Sequence, residues 1–159
     1  MDRETRRKLV DRYKDGYRAV SDALRGAKDE DLNARPAPGK WSAREIVHHL
    51  GDSEMAGAFR LRLLLAIDNV ELLGYDQDLF AKRLYYDRPI EASLEAFKAA
   101  RMATAELLDR MTDEQWTRQG THTEAGPYPV TKWLEVYGNH AHAHAEQILL
   151  ARASVRNRS

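Results

Sequence analysis

The sequence predicts an all-α fold, a four-helix bundle, on three observations: apolar residues recur at helical spacing in long segments, helix-start signals stand before them, and few segments offer a strand. In the first segment Leu9, Val10, Tyr13, Tyr17, Val20 and Leu24 follow the helical period and Gly26 offers a stop, so a helix is predicted from about Arg3 to Arg25. A polar, proline-bearing link, "NARPAPGK", follows. In "WSAREIVHHL", Ser42 and Glu45 have the spacing of a capping box, and Trp41 with Ile46 that of a hydrophobic staple, which sets a second helix running to Ile67. The stretch "DNVELLGYDQD" reads as a long crossover between the second and third helices, with a short helical piece around Leu79 to Leu84. From Glu91, residues Leu94, Phe97, Ala100, Leu107, Leu108 and Met111 mark a third helix, with Thr104 on the same stripe. Thr112 with Gln115 would open one extra turn through Trp116, "RQGTHTEAGPYP" reads as a loop, and Thr131 is placed to cap a fourth long helix, "KWLEVYGNHAHAHAEQILLARA".

The 159 residues suit one domain, 1–159, and a chain of this length buries roughly two thirds of its unfolded surface. Lys plus Arg and Asp plus Glu are 25 each, spread along the chain, which argues against a nucleic-acid footprint, since that needs a basic face. There is no cysteine, which excludes a disulfide framework, a thiolate metal ligand and a cysteine nucleophile; a reacting thiol would have to come from the substrate. The opening "MDRETRRKLVDRY" lacks an apolar segment and the run "LLLAI" is far too short to span a bilayer, so a cytoplasmic protein without membrane contact is predicted.

The six histidines carry the chemistry. "NHAHAHAEQ" has imidazoles at every second position, as a strand would, but Trp133, Leu134, Tyr137, Ala141, Ile148 and Leu149 keep the helical period around it, and alanine favours a helix over a strand. At about 100° per residue, His144 stands about 40° from His140, whereas His142 stands about 160° from both. Only His140 and His144 can therefore face one site. Trp133, Val136, Tyr137, Gln147 and Ile148 share their face, which directs the pair toward the core. A third ligand is sought on the second helix at His48 or His49. The apolar direction of that helix is set by Ile46, Leu50, Leu61 and Leu64; His49 lies beside it near Glu45, Ser53 and Arg60, while His48 falls on the opposite flank with Met55. This selects His49, leaves His48 and His142 at the surface or behind the ligands, and puts His122 where its loop could reach the bundle mouth. On the residues alone, the cluster suits either a metal centre or partly buried histidines with ordinary hydrogen bonds. Ala141 stands where "HExxH" requires Glu, which argues against a metalloprotease. The three tryptophans read as core and staple residues.

The run "KWSAREIVHHLGDSEMAGAFRLR", the crossover "GYDQD", the His and Gly of "THTEAGPYPV" and the closing "YGNHAHAHAEQI" together resemble the DinB/YfiT-like superfamily of metalloenzymes from Trp41 onward. The resemblance implies a four-helix bundle of that type and a three-histidine site for a divalent metal, matching His49, His140 and His144. Where members often carry "HHxGQ" around the last ligand, this chain keeps His144 and Gln147 but has Ala143 and Glu146. The family includes enzymes that transfer low-molecular-weight thiols such as bacillithiol or mycothiol to electrophiles, and thiol-dependent isomerases.

Three neutral imidazoles leave a divalent ion positively charged with positions open, which suits catalysis. The expectation is an S-transferase with a thiol cosubstrate and a small-molecule substrate; the alternatives are a metal-dependent hydrolase and a metal-binding stress or sensor protein without turnover. Zinc, nickel, cobalt and iron(II) all suit the donor set. Arg60 is expected to hold a carboxylate of the cosubstrate, and Asp52 to orient His49 or another ligand from behind. The crossover tyrosines Tyr75, Tyr85 and Tyr86 suit a homodimer contact or a cover for the bundle end.

Overall fold

Four long helices carry the structure, a computed structural model that describes residues 1–156: α1 (Arg3–Leu24), α3 (Ala43–Ala66), α5 (Glu91–Leu108) and α6 (Val130–Arg156). Between them lie the short helices α2 (Asp29–Asn33) and α4 (Gln77–Arg83), the strands β1 (Glu71–Leu72), β2 (Gln119–His122) and β3 (Gly126–Pro129), and a 3₁₀ turn at Gln115–Thr117. Both α1 and α3 pack against α5 and α6, so the first two long helices share one diagonal of the bundle and the last two the other. Among the described residues no helix is long and apolar enough to cross a membrane.

Local chemistry sets the helix starts. Asp2 caps α1 by accepting from the Thr5 amide at 2.7 Å. In α3 the capping box forms as its spacing requires: Ser42 Oγ accepts from Glu45 N at 3.3 Å, and Glu45 Oε2 from Ser42 N at 2.7 Å. Asp76 opens α4 by accepting from the amides of Asp78 and Leu79 at 2.8 and 3.0 Å. The Thr112–Gln115 box also forms, over the 3₁₀ turn. Thr131 does not cap α6; the helix begins at Val130, directly from the end of β3.

The segment read as a proline-rich loop is a β-hairpin. β2 pairs antiparallel with β3 through the turn 123–125, after which Gly126 opens β3 with φ 68°, and parallel with β1, so that Leu72 lies opposite His122. Pro127 and Pro129 occupy the edge strand, where a missing N–H breaks no ladder on the open side. Alternation exists in β2, with Gly120 and His122 inward, but the inward residues are a glycine and a histidine and leave no apolar signal.

A polar layer separates two apolar clusters. One holds Tyr13, Leu61, Leu64, Trp133 and Tyr137, the other Ile46, Leu50, Phe97, Ala141 and Ile148. Between them, Arg101 of α5 bonds Glu54 of α3 through Nε at 3.1 Å and Nη2 at 2.9 Å, and donates to the carbonyls of Tyr13 at 2.5 Å and Tyr137 at 3.0 Å. The Tyr13 hydroxyl donates to the other Glu54 oxygen. All four long helices thus meet on one guanidinium–carboxylate pair. Gly16 is required there, because a Cβ on it would lie 2.4 Å from the Arg101 guanidinium.

The candidate metal centre

His49 on α3 and His140 and His144 on α6 converge. His140 Nε2 lies 3.1 Å from the Nε2 atoms of both His49 and His144, and one nitrogen from each residue falls within 4.8 Å of the other two. In a tetrahedral site, nitrogens about 2.0–2.1 Å from a zinc ion are separated by about 3.3 Å, so this spacing fits three ligands of one cation. The tautomers fit as well. Gln147 Oε1 lies 2.9 Å from His144 Nδ1, which places the proton on Nδ1 and turns a bare Nε2 lone pair toward the other rings. The Nδ1 atoms of His49 and His140 are buried without a partner among the described residues. At 3.1 Å one Nε2–H could bridge two of these nitrogens, but that would leave the buried Nδ1 atoms of His49 and His140 unsatisfied; a shared cation engages all three Nε2 lone pairs and leaves each Nδ1 as a donor.

Burial keeps the three rings neutral. It pushes the pKa of His49 down to about 3 and that of His140 to about 2, in each case with a further lowering from neighbouring imidazoles, and it lowers His144 against a raising hydrogen bond from Gln147. His49 is 3% exposed, whereas His140 and His144 are half-buried. The α6 pair sits at the edge of the core because Trp133, Tyr137 and Ile148 on its face are buried but Val136 and Gln147 are exposed. That position opens the cluster to two cavities.

The cavity beside His49 and His140 has a volume of about 510 Å³ and polar walls, including Ser53, Arg60, Tyr75, His122 and Tyr137. A mainly apolar groove of about 550 Å³ lies on the side of His144 and Gln147, lined by Pro36, Trp41, Ile46 and Leu150. Gln77, at the start of α4, borders both. The Trp41 ring also rests against His49, 4.9 Å between centroids, so the staple residue is a wall of the site as well. Tyr137 approaches α3 because position 57 is glycine; a Cβ there would lie 2.3 Å from its ring. Burial pushes the Tyr137 hydroxyl up to about 12, against a lowering by Arg60, so it stays protonated at neutral pH.

Arg60 lines the polar cavity, as its place on the flank of His49 suggested. Asp52 is not brought to the imidazoles. Its carboxylate accepts from Tyr86 Oη at 2.7 Å, and its charge acts on His48. His48 is not a surface residue; it is fully buried, with Nδ1 2.8 Å from Ser93 Oγ and Nε2 3.0 Å from the Arg88 carbonyl. The flank that the helical wheel left to solvent is covered by α5 and by the chain leading into it. His142 turns away to the Arg12 carbonyl at 2.9 Å. Tyr86 is buried against His48 and Asp52, Tyr75 lines the cavity, and Tyr85 is 76% exposed.

Comparison with known proteins agrees with this architecture. A family model described as the DinB superfamily matches residues 12–148. A protein of Oceanobacillus iheyensis named "Putative metal-dependent hydrolase" is 27% identical over 139 residues, covering 87% of this chain and 81% of the relative. A protein of the same name from Geobacillus thermodenitrificans is 30% identical over 144 residues, covering 85% and 79%. YfiT from Bacillus subtilis, described as "a probable metal-dependent hydrolase with an unusual four-helix bundle topology", superposes with a TM-score of 0.89 over 98% of this chain and 90% of its own; at 23% identity the likeness concerns the fold.

Proposed function

The chain belongs to the DinB superfamily, and from that premise we propose that it is a divalent-metal-dependent enzyme whose ion is held by His49, His140 and His144 and which transfers a low-molecular-weight thiol to an electrophile. The observation that carries the reading is the convergence of three neutral Nε2 atoms at a point bordered by two cavities of different chemistry. A divalent ion on three imidazoles would supply an uncompensated positive charge with open positions, where the pKa of a thiol or of water falls toward neutrality.

The residues of the chain do the rest. Gln147 holds the His144 tautomer, and Arg60 offers a cation to an anionic cosubstrate in the polar cavity. Trp41, Ile46 and Leu150 offer an apolar electrophile a groove with little polar surface to retain water. Two cavities favour two organic reactants, as transfer requires; hydrolysis needs one and a water molecule. The names of the relatives favour hydrolysis, which is the second reading. Incubating metal-loaded protein with one electrophile and, separately, bacillithiol, mycothiol, glutathione or water alone distinguishes the two. A thiol adduct supports transfer, product with water alone supports hydrolysis, and no product in any arm leaves a metal-binding protein without turnover.

A further inference from the structure

The polar cavity contains a pair of donor side chains, Arg60 and His122, that meets no carboxylate partner among the described residues. Arg60 reaches in from α3, donating one Nη to the Tyr137 hydroxyl at 3.4 Å and the other to the Leu73 carbonyl, with its guanidinium 5.4 Å from the centre of the Tyr75 ring. These partners are uncharged, and among the described residues no carboxylate pairs with Arg60. His122, at the end of β2, lines the same cavity. Its Nδ1 accepts from the backbone amides of Glu124 and Ala125 at 3.2 and 3.4 Å, which fixes the proton on Nε2. The Tyr128 ring packs beside it, 5.4 Å between centroids. Nε2 has no acceptor among the described residues and is not one of the sealed, unsatisfied atoms of the core, so its N–H is free to serve the cavity. Burial, and then the Arg60 charge, hold the imidazole below its ordinary pKa, so it is a neutral donor at neutral pH.

Resting on the proposed metal-dependent thiol chemistry, we infer that Arg60 and His122 form a carboxylate-binding subsite, and that the thiol cosubstrate is a carboxylate-bearing one whose sulfur reaches the three histidines while its carboxylate is held by a guanidinium and a tautomer-locked imidazole N–H. The two acids of the cavity do not occupy this position. Asp76 is engaged by the amides that open α4, and Glu124, whose charge acts on His122 from the cavity wall, is exposed with its carboxylate beside Gly74 and makes no hydrogen bond to Arg60 or His122 Nε2. A cation and a neutral donor leave one net positive charge at the subsite, enough for one carboxylate. The hairpin that the sequence concealed thus contributes a substrate contact.

The test uses conservative variants. Asn at position 122 can accept the two turn amides but has no donor at the Nε2 position, whereas Gln extends an amide N–H toward it. Cobalt-loaded wild type, H122N and H122Q are titrated with 3-mercaptopropionate and with uncharged 2-mercaptoethanol, following thiolate-to-cobalt absorption. Wild type is expected to prefer the carboxylate thiol; H122N to lose on the order of tenfold for that thiol alone, and H122Q to recover part of the loss. Equal preference in wild type, or an H122N loss shared by both thiols, overturns the subsite. In metal-free protein, the NMR signal of the His122 Nε2–H is followed against propionate. A saturable shift supports the subsite even if neither thiol perturbs cobalt, in which case only the thiol reading falls. No shift overturns the subsite while leaving the metal site standing.

Discussion

Replacing Gln147 with Ala removes the one hydrogen bond that, among the described residues, reaches the outer nitrogen of a candidate ligand, His144 Nδ1 to Gln147 Oε1 at 2.9 Å. Residues that orient a ligating imidazole in this way are generally worth about 10–100-fold in metal affinity. Two features place the expected loss at the lower end. Gln147 is exposed, so water can replace its oxygen, and it sits three residues from His144 on the same helix, so its removal leaves the backbone undisturbed. The expected loss is about tenfold, or about 1.4 kcal/mol. Q147E, which offers the same atom with a charge, should bind the metal at least as tightly as wild type. The assay is competition with a chromophoric chelator at fixed pH on untagged protein, with thermal unfolding of the metal-free form as control; a surface change of this kind should alter stability by less than about 0.5 kcal/mol. Wild-type affinity in Q147A, or weaker binding by Q147E than by Q147A, would refute the assignment of Nε2 as the inward-facing atom of His144.

Further outcomes follow from the same contacts. H49A should abolish stoichiometric metal uptake, whereas H48A should leave it intact and lower stability by about 2–4 kcal/mol, since it opens a buried space, takes the imidazole partner from the Arg88 carbonyl and leaves Ser93 Oγ only its bond from the Arg88 guanidinium; metal analysis and urea denaturation read the two effects separately. R101M leaves Glu54 buried without its cation and should cost about 3–5 kcal/mol, most of it recovered in E54L/R101M, by urea denaturation. Metal-free protein should lose stability as pH falls from about 6.5 toward 3. His49 and His140 have folded pKa values far below that of an unfolded histidine, so the unfolded chain binds more protons across that window, and thermal melts should show stability rising with pH through it.

The bundle was legible because its long helices announce themselves twice, in spacing and in caps. Ser42 with Glu45 set the start of α3, and Leu50, Leu61 and Leu64 set its buried face, so His49, which lies beside His140 and His144, could be chosen over His48. The same wheel could not show that α5 and the chain before it cover the other flank, because that is a property of packing between elements; hence the burial of His48 was missed. Arg101 and Glu54 were hidden for a related reason. Each is charged, each stands four residues after a core position, Phe97 and Leu50, and only the facing Gly16 marks the space the guanidinium fills. The hairpin escaped because its inward residues, Gly120 and His122, carry no hydrophobic signal. With it went Tyr75 and Glu124 as cavity walls, since β1 and β2 bring together segments far apart in the chain.

Everything functional depends on His49, His140 and His144 sharing one ion. Elemental analysis of untagged protein, after incubation with zinc, nickel, cobalt or iron(II) and exhaustive dialysis, tests that most directly. One equivalent of ion per chain is the expected result; protein that retains none of the four metals would contradict it.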